Sequence, residues 1–263
     1  MSHNLTASAV EIHWHGQGPA LLLLHGWGMN GAVWQQLVPS LQAQGLMVGV
    51  AQLPGFGGTA PLASSDDIEL LAAAIWAQLP PDCHLLGWSL GGLVAQQMAL
   101  LRPERTLSLC TLASSPCFEQ RPDWPGIAPA VLAGFATQLQ QDSSKTINGF
   151  FALQGMGSVS GRADVRQLKQ AVMALPAAHP TALAGGLTML AQVDLRAQLA
   201  TLQLPWLRIY GHNDALVPRA SVALVDQLAP QSQSVLIPQA GHAPFISHFE
   251  LTCAQLVKFY LAR

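Results

Sequence analysis

The strongest constraint on the fold is a rhythm of short, continuous apolar runs separated by helical patterns. Runs at 21–25, 47–52, 83–87 and 106–112 are too short for helices and apolar on both faces. Between them, residues 32–42, 66–78 and 90–101 carry apolar positions at helical spacing. Asp66 or Asp67 caps the second of these, and the third stops before Pro103. Strands that are apolar on both faces must be covered on both. The alternation therefore predicts βαβ units and an α/β fold built on a mostly parallel, doubly wound sheet. His13 and His15 belong to a further strand-like segment ahead of these runs. The rhythm returns near the end, with strands at 206–211 and 234–237 and helices at 220–228 and 249–261. From 117 to about 200 it is missing. That stretch opens with Pro116, Pro122, Pro125 and Pro129 and then turns helical. The expected organisation is a core of residues 1–116 and 198–263, interrupted by a helical lid at 117–197. Such insertions commonly cover a site at the carboxyl ends of the strands.

Charge excludes several functions. The net charge is −2, only 10% of the 263 residues are charged, and no basic run occurs. Nucleic acid is therefore not the expected partner. No Asp, Glu, Lys or Arg lies between Glu11 and Asp66, yet the longest purely apolar run there is Ala20–Leu24, so no transmembrane helix is expected. The first residues, Met1-Ser2-His3-Asn4, show neither a basic nor an apolar leader segment. Cys83, Cys110, Cys117 and Cys253 form no C-x-x-C pair and no metal-ligand spacing, which suits free thiols in a reducing cytoplasm.

Gly87-Trp88-Ser89-Leu90-Gly91 matches G-x-S-x-G, with an apolar strand before it and a helix after it. A serine on so tight a strand-to-helix turn needs small neighbours, and the turn exposes its hydroxyl beside the positive end of the helix. A hydroxyl is a weak nucleophile until a base within hydrogen-bond reach takes its proton, and a carboxylate must orient that base. Of nine histidines, His242 in Gly241-His242-Ala243-Pro244 stands where this chain order requires the base, between the last strand and the final helix. Asp214 follows the 206–211 strand and is the first choice of carboxylate, ahead of Asp194 and Asp123, which lie in or beside the helical insertion. Acyl transfer also needs N–H donors where the oxyanion forms. Leu90, just after the nucleophile, supplies one. Trp27, in the His25-Gly26-Trp27-Gly28 turn after an early strand, supplies the other.

With these four motifs in order, the chain resembles the α/β-hydrolase superfamily over practically its whole length. Within it, the segments GWGMNGAVW (26–34), LPGFG (53–57), ASSPCF (113–118), WPGI (124–127), VLAGF (131–135), FALQ (151–154), VDLR (193–196), LVPR (216–219) and AGHAPFISH (240–248) resemble the BioH carboxylesterases. The resemblance implies a cytoplasmic, monomeric serine esterase of biotin synthesis that needs no metal or cofactor. It would hydrolyse the methyl ester of pimeloyl-[acyl-carrier protein], with an acyl carrier protein bearing the methyl pimeloyl group as its partner. Ser89, Asp214 and His242 would be the triad, and Trp27, Leu90, Phe150, Phe151, Ala152, Leu153 and Gln154 would line the acyl site with His242. A broad short-chain esterase, a non-catalytic receptor and a carrier-binding module are the alternative readings on the same fold.

Phe118, Trp124, Phe135, Phe150, Phe151, Met156 and Met173 offer apolar surface for an aliphatic chain. Half of the basic residues (Arg121, Lys145, Arg162, Arg166, Lys169, Arg196) fall in the insertion. Arg162, Arg166 and Lys169 share one helical face, and with Lys145 they are candidate contacts for an acidic carrier. Gly149 stands where the resemblance leads one to expect a basic residue.

Overall fold

The computed structural model describes residues 10–158 and 160–261. Seven strands form one sheet: β1 (Glu11–His15), β2 (Ala20–Leu24), β3 (Met47–Gln52), β4 (Cys83–Trp88), β5 (Thr106–Leu112), β6 (Trp206–Gly211) and β7 (Gln233–Ile237). Their order is β1-β3-β2-β4-β5-β6-β7. Only β1 runs antiparallel, against β3; every other pair is parallel. Strands β2, β4 and β6 are buried along their whole length, which is why they are mostly apolar. The exceptions, His84 in β4 and Arg208 in β6, are paired inside the protein, His84 with Ser108 and Arg208 with Ser232, Tyr210 and Asp226.

The chain runs outward from β2 to β3, then returns to lay β4 on the other side of β2. Strand order therefore reverses between β2 and β4. A crevice must open at their carboxyl ends, because the connections leave in opposite directions there. The turns His25–Gly28 and Trp88–Leu90 both emerge at this point.

The helical pattern at 32–42 is divided. A 3₁₀ turn covers Gly31–Trp34, and helix α1 spans Leu37–Gln42. Pro39 explains the break. A continuous helix would drive its ring into the Gln35 carbonyl, whereas a start at Leu37 puts it in the first turn. Helix α2 (Ile68–Trp76) begins at Asp67, whose carboxylate accepts the Glu69 and Leu70 N–H groups at 2.9 Å. Helix α3 (Leu90–Leu101) follows the elbow.

Four helices separate β5 from β6: α4 (Pro129–Gln141), α5 (Ser143–Gln154), α6 (Gly161–Met173) and α7 (Pro180–Gln192). The chain leaves and re-enters the core side by side. Cys117 bridges Asp194, and the Leu195 N–H donates to the Pro116 carbonyl at 2.9 Å. Trp124 is buried at this neck, donating from Nε1 to the Cys117 carbonyl, with the Arg196 guanidinium over its ring. Helices α8 (Ala220–Leu228), α9 (Pro244–Ser247) and α10 (Phe249–Leu261) complete the fold. No helix of the described residues is long and apolar enough to cross a membrane.

Candidate active site

Three glycines let the elbow form. Added Cβ atoms would lie 2.1 Å from the Gly91 carbonyl oxygen at Gly87, 2.3 Å from the Leu24 oxygen at Gly91, and 2.5 Å from Ser114 Cβ at Gly92. Strand, turn and helix thus meet closer than any side chain permits. Ser89 takes up the remaining strain at φ 55°, ψ −121°. Its N–H donates to the Leu112 carbonyl, and its own carbonyl accepts from Ser114 Oγ at 2.8 Å. The strained conformation is thus overdetermined by its surroundings.

Ser89 Oγ lies 2.8 Å from His242 Nε2. On the other side of the ring, Nδ1 lies 2.8 Å from Asp214 Oδ2 and 3.0 Å from Oδ1. The loops after β6 and β7 can meet because Gly211 has no side chain; a Cβ there would sit 2.0 Å from the Gly241 carbonyl oxygen. The Asp214 carboxylate cannot swing, since Oδ1 also accepts the Leu216 and Val217 N–H groups at 2.8 and 3.0 Å. The His242 carbonyl accepts from Trp88 Nε1 at 2.8 Å, and the Trp88 ring packs edge-on against Phe245. The sequence therefore brings one hydroxyl, one imidazole and one carboxylate into a single line. Asp194 and Asp123 are engaged elsewhere: both pair with Arg196, whose guanidinium holds the Asp194 carboxyl below the ordinary range.

The N–H groups expected to meet the oxyanion, those of Leu90 and Trp27, belong to the two turns beside this line. Leu90 opens α3, so its N–H has no acceptor in the preceding turn. Among the described residues, neither the Leu90 nor the Trp27 N–H takes part in a hydrogen bond. A Cβ built on Gly26 would lie 3.3 Å from Ser89 Cβ, so the Gly26–Trp27 peptide abuts the nucleophile.

The helices of the insertion close over the site. Ser89 is 3% exposed and His242 is fully buried. The Trp27 ring donates from Nε1 to the Leu183 carbonyl of α7 at 2.8 Å and meets Phe150 of α5 edge-on at 4.7 Å. Asn30 Nδ2 donates to the Val172 carbonyl of α6, and Asn213 Nδ2 to the Gly157 carbonyl, each at 2.8 Å. A cavity of about 310 Å³ lies under α5 and α6, walled by Met29, Asn30, Ile147, Phe151, Val172 and Met173. No charged residue lines it.

Of the residues expected to line the acyl site, Phe150, Phe151 and Gln154 face inward and are buried, Leu153 is half-buried, and Ala152 points outward. Helical geometry decides this: 150, 151 and 154 share one face of α5, and 152 lies opposite. Ala152 instead lines an outer groove with Met156 and Arg162. Lys145, Arg162 and Arg166 are exposed. Their side chains, and that of Lys169, have no ion-pair or hydrogen-bond partner among the described residues, whereas Arg121 is paired with Glu119 and Arg196 with Asp123 and Asp194.

Sequence reading passed over three supports of the site: Trp88 Nε1, Ser114 Oγ and the His25 ring. His25 is fully buried, and burial pushes its pKa down from 6.5 to about 4. The sign follows directly. The unfolded chain binds a proton below 6.5 that the folded protein refuses until about 4. Stability from this group is complete above pH 6.5 and drains away as pH falls through that window, by about 3 kcal/mol at most. Urea unfolding at pH 7 and pH 4.5 should show this loss in the parent, and it should be smaller by most of that amount in His25→Asn. Equal losses in both proteins would assign the acid sensitivity to other groups.

The chain is an α/β-hydrolase: the family model of the alpha/beta hydrolase fold matches residues 19–249. It belongs to the family of the pimeloyl-[acyl-carrier protein] methyl ester esterases. The relative of that name from Aeromonas hydrophila is 55% identical over 242 residues, covering 91% of this chain and 94% of the relative. The one from Klebsiella pneumoniae is 49% identical over 250 residues, covering 94% and 96%. Among solved structures, an esterase from Exiguobacterium antarcticum superposes with a TM-score of 0.86 at 20% identity, covering 95% of this chain and 94% of that one. At that identity the likeness shows the fold alone.

Proposed function

We propose that this protein is a serine carboxylesterase that hydrolyses the methyl ester of pimeloyl-[acyl-carrier protein], releasing methanol and the free acid for biotin synthesis. The observation that carries the chemistry is the continuous Ser89–His242–Asp214 hydrogen-bond line, beside two turns whose Trp27 and Leu90 N–H groups are unused. The relatives' shared name supports the substrate.

In this reading Ser89 Oγ attacks the ester carbonyl carbon while His242 Nε2 accepts its proton. Asp214 stabilises the imidazolium, and the Trp27 and Leu90 N–H groups take up the oxyanion charge. The tetrahedral intermediate collapses, the bond to the methoxy oxygen breaks, and His242 returns the proton so that methanol leaves. Water then attacks the acyl-enzyme by the same route and frees Ser89 and the ω-carboxylic acid. The cavity beneath α5 and α6 holds no charged residue, which suits an aliphatic chain.

Residues 117–197 act as the lid in this scheme, and the enzyme works as a cytoplasmic monomer. The unpaired cations Lys145, Arg162 and Arg166 receive the acidic carrier. Reversing two of them (Arg162→Glu with Arg166→Glu) should lower kcat/KM on methyl pimeloyl-carrier about tenfold at low salt and much less at high salt, because exposed charges act mainly on encounter. A free short-chain ester should react almost as before. Methanol and free acid, measured on both substrates, decide the matter. Equal losses on both would mean a damaged lid helix. No loss on either would move carrier recognition to another surface, and no methanol from the parent would end the substrate assignment.

A further inference from the structure

We propose that His25 is the positioning residue of the oxyanion site: it aims the Trp27 N–H by holding the carbonyl of the same peptide unit. The inference rests on the reading of Trp27 as an oxyanion donor.

The Gly26 carbonyl and the Trp27 N–H belong to one planar peptide, and no peptide of the described chain is cis. In a trans unit the C=O and N–H bonds point in opposite directions, so fixing one fixes the other. The Gly26 oxygen is held from two sides. His25 Nδ1 lies 2.9 Å from it, and the Met29 N–H donates to it at 3.2 Å. The opposite ring nitrogen sets which proton His25 carries. Leu53 donates its N–H to Nε2 at 3.2 Å, so Nε2 must present its lone pair and Nδ1 must bear the hydrogen. Phe56 closes the remaining space, its ring edge-on to the imidazole at 5.2 Å. The residue thus ties the end of β2 to the end of β3 through a single tautomer, with no freedom to turn.

Two consequences favour catalysis. The donor is aimed before substrate arrives, so no reorganisation is needed as charge develops. A hydrogen bond accepted by a peptide carbonyl also polarises that peptide, which strengthens the donor at its other end. Burial keeps the ring neutral well below the pH at which a free imidazole charges, so the aim holds while His242 cycles through its own protonation. His25 does not lie on the Ser89–His242–Asp214 line; it acts through the backbone alone.

Two substitutions separate this role from a structural one. The amide nitrogen of Asn falls near the position of Nδ1, so His25→Asn keeps the donor to Gly26 and loses the acceptor for Leu53. The longer Gln reaches the position of Nε2, so His25→Gln keeps the tie to Leu53 and loses the donor. The readouts are kcat and KM on a free short-chain ester, together with ¹³C NMR of a carbonyl-labelled alkyl trifluoromethyl ketone, which forms a hemiketal on Ser89. We expect His25→Gln to lower kcat by about 10–100-fold, part of the loss that follows removal of an oxyanion donor, with KM within about twofold. The pKa of its hemiketal oxyanion should rise towards that of the free hemiketal, while His25→Asn regains most of both.

The reverse ranking, with Gln preserving activity and Asn losing it, would make His25 a strut for the β3 loop and overturn the proposal. A hemiketal oxyanion stabilised equally in the parent and in His25→Gln would also overturn it, leaving the oxyanion reading intact. A parent hemiketal that titrates like the free compound would instead overturn the oxyanion reading itself. Should neither variant fold, ¹⁵N NMR of the parent still decides: the His25 proton must reside on Nδ1, and a proton on Nε2 refutes the mechanism.

Discussion

Ser89→Ala should fold and melt like the parent yet lose nearly all ester turnover. The fold should tolerate the change because the Ser89 hydroxyl makes a single hydrogen bond, to His242, and the strained φ of 55° is imposed by the backbone around it. Alanine carries the same Cβ into the same conformation. Activity should fall by about 10⁶-fold, the scale set by removing the nucleophile of such a triad, leaving a residual about 10³–10⁴ over water from binding and the oxyanion donors. Thermal melting and hydrolysis of a chromogenic short-chain ester check both halves. The parent should also show an acyl-enzyme burst that the variant lacks. Turnover within tenfold of the parent would mean that another hydroxyl attacks. Ser114, buried against the Ser89 carbonyl, would then be the first to replace.

How much of this was legible in the sequence depends on the range of the interaction that fixes each part. The sheet was legible because β2, β4 and β6 are buried on both faces and are therefore dominated by apolar residues, with His84 and Arg208 tolerated only because they are paired inside. The elbow was legible through its local part: Gly87 is demanded by the close approach of Gly91 and Gly92, whereas Gly91 and Gly92 are demanded chiefly by Leu24 and Ser114, which lie far off in the chain. The divided helix at 32–42 was in principle readable from Pro39, since a proline ring clashes with the carbonyl four residues earlier. Ala152 was assigned to the acyl site only because it lies inside a matching segment; helical period alone argues that it points away from Phe150, Phe151 and Gln154.

Other features had no local signal at all. The packing of the inserted helices against the core rests in part on Trp27 reaching Leu183 and Asn30 reaching Val172, pairs separated by 156 and 142 residues. Each is a side-chain donor meeting a backbone carbonyl, and a backbone carbonyl exists at every position. No residue pattern can therefore mark the acceptor. The same holds for Trp88 and the His242 carbonyl, 154 residues apart, although Trp88 stood within the recognised motif. His25 is intermediate. Its place beside Gly26 was visible as a motif, but the Leu53 N–H that fixes its tautomer belongs to the end of another strand.

Asp214→Asn should lower kcat by about 10⁴-fold while leaving ester binding and fold stability nearly unchanged, for a reason that the backbone of its turn makes specific. Oδ1 accepts the N–H groups of Leu216 and Val217. An asparagine placed there must keep its oxygen on those donors, because an amide NH₂ facing two N–H groups would leave all of them unpaired. Its nitrogen then takes the place of Oδ2, 2.8 Å from His242 Nδ1. A donor at that point obliges Nδ1 to accept, which moves the ring proton to Nε2. The histidine then offers a hydrogen to Ser89 Oγ where it should offer a lone pair, so the base is present, correctly placed and in the wrong tautomer. Asp194→Asn and Asp123→Asn change only the Arg196 cluster at the neck of the helical insertion and should cost little turnover. The measurement is kcat and KM for all three variants on the same ester, with ¹⁵N NMR reporting which ring nitrogen of His242 carries the hydrogen. A kcat loss confined to Asp194→Asn would reassign the orienting carboxylate. A loss in Asp214→Asn with the proton still on Nδ1 would leave the carboxylate's charge, and not its control of the tautomer, as what the reaction requires.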